Sequence, residues 1–285
     1  MKKLLLSVLK SYLSILSYIH PKLASKKAQT IFFTPQKYKR KSWEISAIVK
    51  AKNITLENGL SCLVWGNDEG KPILMLHGWE GRASQMAVFL PLLEKKYKLI
   101  AIDAQAHGAS TGTRSHPGKF VEAIEVAQRH FGSFYAVIGH SMGGGCAVYT
   151  TLEKLNVEKT VSISGPSNFE YVVRSFAQFI GLKGRALPIF MSEVEAEVAL
   201  PFSQLDLASR ASDITNPLLI IHDEHDLEIP FSEARKYQES VNNSEFFITQ
   251  NLGHRKIMQS NVVQQKVADF LNEDNTSCSA ATQAR

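Results

Sequence analysis

"GHSMGG", residues 139–144, follows the apolar run "YAVI" at 135–138 and shares its last glycine with "GGCAVYTTLEKL" at 144–155, which reads as a helix. One serine stands between glycines at the end of a strand-like run. A tight corner would account for the glycines, and a chain of this length shows about 0.1 matches to G-x-S-x-G by composition alone. Context decides the reading. Strand, sharp turn and helix in that order would lift the Ser141 hydroxyl clear of a sheet edge and leave free N–H groups at a helix start.

The same alternation extends in both directions. "PILMLHG" from 72, "YKLIAIDA" from 97, "YAVIGHS" from 135, "KTVSISG" from 159, "PLLIIHDEHD" from 217 and "SEFFITQ" from 244 are apolar runs. Helical stretches separate most of them: 83–96, 119–131, 144–155, 232–241 and 256–272. Continuous apolar strands between amphipathic helices imply an α/β fold whose parallel sheet is covered on both faces. Sites in such sheets lie at the carboxyl ends of the strands. Before residue 72, "WEISAIVKAKNITLE" and "LSCLVWGN" read as two strands joined at Asn58-Gly59, an antiparallel hairpin. Residues 166–216 exceed what a plain crossover needs. They read as a small helical cap inserted at the site edge, a lid or binding segment.

The 285 residues are 44% hydrophobic and 21% charged, enough for one large domain with a sizeable core. Three divisions are expected: an N-terminal amphipathic helix and basic segment at 1–40, the main domain at 41–272, and a small, polar, disordered tail at 273–285. Net charge is +5, with much of the excess in the first 50 residues. No nucleic-acid module accompanies that basic stretch, so nucleic acid is not an expected partner. Cys62, Cys146 and Cys278 are odd in number and form no CxxC, which favours a reducing, cytoplasmic setting over a disulfide framework. "MKKLLLSVLKSYLSILSYIH" has a basic start and an apolar run, yet Lys10 interrupts it. Ser7, Ser11 and Ser14 form a polar stripe, and no small-residue cleavage site follows. The segment is expected either to pack on the protein or to make peripheral membrane contact through residues 1–20. Export is the weaker alternative.

A serine hydroxyl needs a base to take its proton, and a base needs a group to orient it. His254 follows the last strand-like run. Asp226 ends the run before it, with Asp223 as near competitor and Asp206 or Asp213 as acids only if the insertion supplies one. His77, His107 and His140 also lie near strand ends, His107 having the next claim as base. A metal reading of His222, Asp223, His225 and Asp226 fails on spacing, since no standard zinc pattern appears. No phosphate loop, dinucleotide fingerprint or HExxH occurs, so neither metal nor cofactor is implied.

Over residues 72–271 the chain resembles the α/β-hydrolase superfamily. "HGW" at 77–79 is similar to its oxyanion loop, "DAQAHGAS" at 103–110 to its D-x-x-x-H-G-x-S stretch, "HDEHDLEIP" at 222–230 to its acid loop and "NLGH" at 251–254 to its histidine loop. Asp223 stands where that loop more usually has glycine. The chain order Ser, Asp, His also fits. The resemblance implies a catalytic set of Ser141, Asp226 and His254, an oxyanion hole from the Trp79 and Met142 amides, and a site shaped by His77, Gly78 and His140. Relatives with aspartate at the elbow are excluded by Ser141. The implied chemistry is serine hydrolysis of a small to medium carboxylic ester or thioester through an acyl-enzyme, with the small-molecule ester as partner. Acyl transfer or C–C hydrolysis on the same residues is the alternative. A non-catalytic ligand-binding module on this fold is the alternative of another class.

Overall fold

The computed structural model describes residues 2–153, 155, 157–241 and 244–273. Eight strands form one sheet: β1 (Lys52–Thr55), β2 (Ser61–Gly66), β3 (Lys71–Leu76), β4 (Tyr97–Ile102), β5 (Ala136–His140), β6 (Lys159–Ile163), β7 (Leu218–Asp223) and β8 (Ser244–Thr249), in the spatial order β1-β2-β4-β3-β5-β6-β7-β8. β3 through β8 are parallel, and β1 and β2 run antiparallel at one edge. The sheet is the mostly parallel one that the apolar runs imply, with the hairpin at its rim.

Helices cover both faces. They are α1 (Lys2–Ile19), α2 (Pro21–Phe33), α3 (Ser42–Lys50), α4 (Leu90–Leu93), α5 (Pro117–Phe131), α6 (Met142–Leu152), α7 (Phe169–Phe179), α8 (Ala186–Val198), α9 (Ser232–Gln238), α10 (Gly253–Lys256) and α11 (Asn261–Asn272). Because side chains alternate along a strand, β3 feeds two cores. Leu74 and Leu76 pack with α5, α6 and the cap, whereas Ile73 and Met75 pack with α4 and α11. The central strands are mainly apolar and buried along most of their length, as a sheet sandwiched between helices demands.

Three readings of the sequence change. Residues 42–50 are helix α3, not the first arm of the hairpin, which is only β1 paired with β2. Trp43, Ile45, Ala47 and Val49 alternate like a strand, but the buried face is the helical one. Glu44 and Ala47 are buried, while Val49 is 81% exposed. The N-terminal segment is two helices rather than one. Proline lacks the N–H that helix continuation needs, and Pro21 starts the second helix after His20 leaves helical geometry at φ −138°. The stretch 83–96 is a 3₁₀ turn over Ala83–Phe89 followed by the single turn α4. The tail expected at 273–285 lies outside the described residues, apart from Glu273.

The insertion folds as α7 and α8, which pack on each other and on α2. Ser25 and Gln29 of α2 both donate to the Glu193 carboxylate on α8. Phe32 of α2 fills the centre of an aromatic cluster with Phe169, Phe176 and Phe190.

Candidate active site

The turn at Ser141 holds φ +53° and ψ −122°, a conformation that non-glycine residues avoid and that persists where surrounding structure fixes it. Its neighbours allow no side chain. A Cβ on Gly143 would sit 2.5 Å from the His77 carbonyl oxygen, and one on Gly78 would sit 2.8 Å from the Ser141 Cβ. The glycines of "GHSMGG" and "HGW" therefore let β3, β5 and α6 close around one serine.

Three side chains meet there. Ser141 Oγ donates to His254 Nε2 at 2.8 Å, and His254 Nδ1 donates to Asp226 Oδ2 at 2.7 Å. All three residues are less than a tenth exposed. The other carboxylate oxygen of Asp226 accepts the Glu228 and Ile229 amides, both at 2.9 Å. Burial alone would raise the Asp226 carboxyl. The hydrogen bond and charge of His254, with the two amides, outweigh it and hold the group below the usual carboxylate value.

Asp223 plays another part. Its carboxylate accepts from the His225 and Leu252 amides at 3.0 Å and from Thr249 Oγ1 at 2.8 Å. It fastens the acid loop to the loop that carries His254. His222 Nε2 donates to the Ile229 carbonyl at 2.9 Å and lies 3.6 Å from Asp226, bracing the same loop. His225 Nδ1 faces the Asn251 amide. The four residues weighed as metal ligands are thus turned to different partners. Asp206 lies in the insertion, bridged to Asn168, and Asp213 ends a 3₁₀ turn there.

The other histidines are fixed as neutral rings. His77 Nδ1 donates to the Gly78 carbonyl at 2.7 Å while Nε2 accepts the Ala104 amide at 3.1 Å. Burial brings its pKa down to about 4. His107 Nδ1 donates to the Gln105 carbonyl and Nε2 accepts the Glu80 amide. Burial and the neighbouring His77 bring it to about 3. His140 donates from Nε2 to the His254 carbonyl at 2.8 Å, and burial with the nearby His254 brings it to about 3 as well. None of them touches Ser141 Oγ as His254 does, and both His107 ring nitrogens are engaged elsewhere. Asp103, which opens "DAQAHGAS", accepts the Ala83 and Ala109 amides and ties two loops beneath the site.

Among the described residues, the Trp79 and Met142 backbone N–H groups have no protein acceptor. The Trp79 ring lies 6.5 Å from Phe32 and 5.2 Å from His107, so it both walls the site and joins the aromatic cluster.

A cleft of about 310 Å³ opens onto Ser141 and His254, and its walls differ from expectation. No residue of the 166–216 insertion lines it. One wall is the strap before α3, with Tyr38, Lys39 and Lys41; the other is Glu228 and Arg255. Arg82 holds the strap down by donating to the Tyr38 carbonyl at 2.6 Å and the Lys39 carbonyl at 3.2 Å. Its guanidinium also pairs with buried Glu44 at 2.6 and 3.1 Å. Glu80 accepts from the Gln36 amide and the Tyr38 hydroxyl. Sequence reasoning missed Arg82 and Glu44. The one available signal was a carboxylate on what read as a half-buried strand.

A mostly parallel sheet with a serine elbow, and a histidine and carboxylate at later strand ends, defines the class of scaffold. Two family models match the chain: one described as alpha/beta hydrolase fold over residues 71–190, the other as TAP-like protein over 198–279. The chain belongs to the α/β-hydrolase superfamily. It is similar to a serine hydrolase-like protein of Danio rerio, 32% identical over 104 residues (34% of this chain, 32% of the relative). It is also similar to one of Homo sapiens, 31% identical over 115 residues (38% of this chain, 56% of the relative). The chain thus spans about a third to just over half the length of these curated relatives. An esterase of Pyrococcus furiosus superposes with a TM-score of 0.61 at 21% identity, over 84% of this chain and 98% of the esterase, a likeness of fold.

Proposed function

We propose that the chain is a serine hydrolase that cleaves a small to medium carboxylic ester or thioester through an acyl-enzyme. The observation that carries this reading is the continuous hydrogen-bonded line from Ser141 Oγ through His254 to Asp226 beneath an open cleft. His254 takes the Ser141 proton as the oxygen attacks the acyl carbon, then delivers it to the leaving group, then activates water to release the acid. Asp226, held ionised, keeps the proton of neutral His254 on Nδ1, leaving Nε2 to accept. The Trp79 and Met142 amides receive the developing oxyanion, the kind of donor whose loss costs about 10² to 10³ in rate. A cleft near the small end of ligand pockets suits a short or medium acyl group. The serine hydrolase-like names of the relatives support the reading.

A fluorophosphonate probe with a chain-length series of p-nitrophenyl esters tests it. Wild type labels at Ser141 and turns over the shorter esters, and Ser141→Ala loses the label and about 10⁴-fold or more of the rate. Folded wild-type protein that neither labels nor turns over any ester would make the site a binding pocket instead.

A further inference from the structure

The α1 helix has two apolar faces, and the fold covers one. Leu6, Leu9, Leu13 and Leu16 turn inward, and α1 packs against α2 and α8. At the helical spacing of about 100° per residue, Leu4, Leu5, Val8, Tyr12, Ile15 and Ile19 fall within a second arc about 100° wide. All six are between 45% and 70% exposed. Ser7, Ser11 and Ser14 separate the two faces on one side.

Positive charge borders the uncovered stripe. Lys22, Lys26 and Lys27 of α2 are exposed, and Lys27 Nζ lies 5.8 Å from the Tyr12 ring centroid. Residues 1–43 hold ten of the 32 Lys and Arg and none of the 27 Asp and Glu, so the remainder of the chain is net acidic. No helix among the described residues is long and apolar enough to cross a membrane.

We infer that the outer face of α1 and the lysines of α2 dock the protein on an anionic lipid bilayer, with α1 lying in the surface. An aliphatic and aromatic ridge beside lysines, with no acidic group in the segment, matches that surface in both polarity and charge. The inward face of the same helix stays on the cap, so docking needs no unfolding of the N-terminus. The inference does not depend on the chemistry of Ser141, because the stripe and the triad share no residue.

Flotation of the full chain tests it, with vesicles of phosphatidylcholine alone and of phosphatidylcholine mixed with phosphatidylglycerol. Wild type floats with the mixed vesicles at least about tenfold more tightly than with the neutral ones. Replacing Lys22, Lys26 and Lys27 with Gln weakens this about fivefold per lysine. The exposed pair Val8→Glu and Ile15→Glu abolishes flotation, while melting temperature and p-nitrophenyl acetate turnover stay at wild-type values. Three results would overturn the inference: wild type that stays with the soluble fraction, V8E/I15E protein that floats as well as wild type, or a stripe whose substitution changes only self-association in sedimentation.

Discussion

Two aspartates three residues apart, Asp223 and Asp226, show how finely role depends on hydrogen-bond partners. Asp226 accepts from an imidazole and two amides of its own loop; Asp223 accepts from groups on both loops at the end of β7 and β8. Substituting each by asparagine therefore separates orientation from loop anchoring. Asp226→Asn should lower kcat about 10² to 10⁴-fold with little change in KM, because the amide favours the wrong imidazole tautomer. Asp223→Asn should instead lower the melting temperature, since the amide nitrogen cannot accept the bonds that the carboxylate takes, while leaving a measurable burst with an activated ester. Equal kcat losses without a stability difference would reverse these assignments. The pattern "HDEHD" named both residues, and chain order fits either; only the resemblance, with Asp223 at a position that more usually holds glycine, favoured Asp226. Ranking needs the position of His254, 28 residues further on.

At the scale of elements, the strap and α3 form the cleft wall that the insertion was expected to supply. A buried ion pair is central to fixing them: Glu44 on α3 pairs with Arg82 after the "HGW" loop, while also accepting from Ser84 and the Lys41 amide. Burial would raise the Glu44 carboxyl, but these bonds keep it low and ionised. Breaking one side of a buried pair strands the other charge, at about 3 to 5 kcal/mol. Glu44→Ala should therefore lower the melting temperature by several degrees, measured by calorimetry, and raise KM for esters more than it lowers kcat. A KM that stays at the wild-type value would show that the strap does not contact substrate. The helix α3 was misread because alternating apolar residues also satisfy strand periodicity. The buried charge opposite it, with Ala47, Trp43 and Ile48 packed on the core, makes the helical face the inward one.

Across the whole molecule, burying neutral histidines sets an acid limit on stability. His77, His107 and His140 have folded pKa values lowered by burial to about 4, 3 and 3. The unfolded chain titrates near 6.5. Below that pH the unfolded state binds protons that the folded state refuses, so stability is full above about pH 6.5 and declines as pH falls toward the folded values. By pH 5 the loss is about 1 to 2 kcal/mol per histidine. Thermal melts at pH 7, 6 and 5 should show a steady fall, and a flat profile would mean that these rings ionise in place. The same global view explains what was legible beforehand. Strand order along the chain, the elbow, and the candidacy of Ser141, His254 and an aspartate of "HDEHD" follow from local signals: apolar runs, glycines that permit close backbone approach, and residue types at strand ends. Three features came only from tertiary contact. They are the second N-terminal helix seated on the cap, the strap held by Arg82, and the choice of which face of α1 stays uncovered. Each depends on a partner distant in sequence: Glu193 for α2, Glu44 for Arg82, and α8 for α1. The sequence by itself thus determined which groups stand at the sheet edge, because backbone sterics and hydrophobic periodicity act locally. The tertiary structure decided which surfaces enclose them and which remain open, because burial is a property of distant segments meeting.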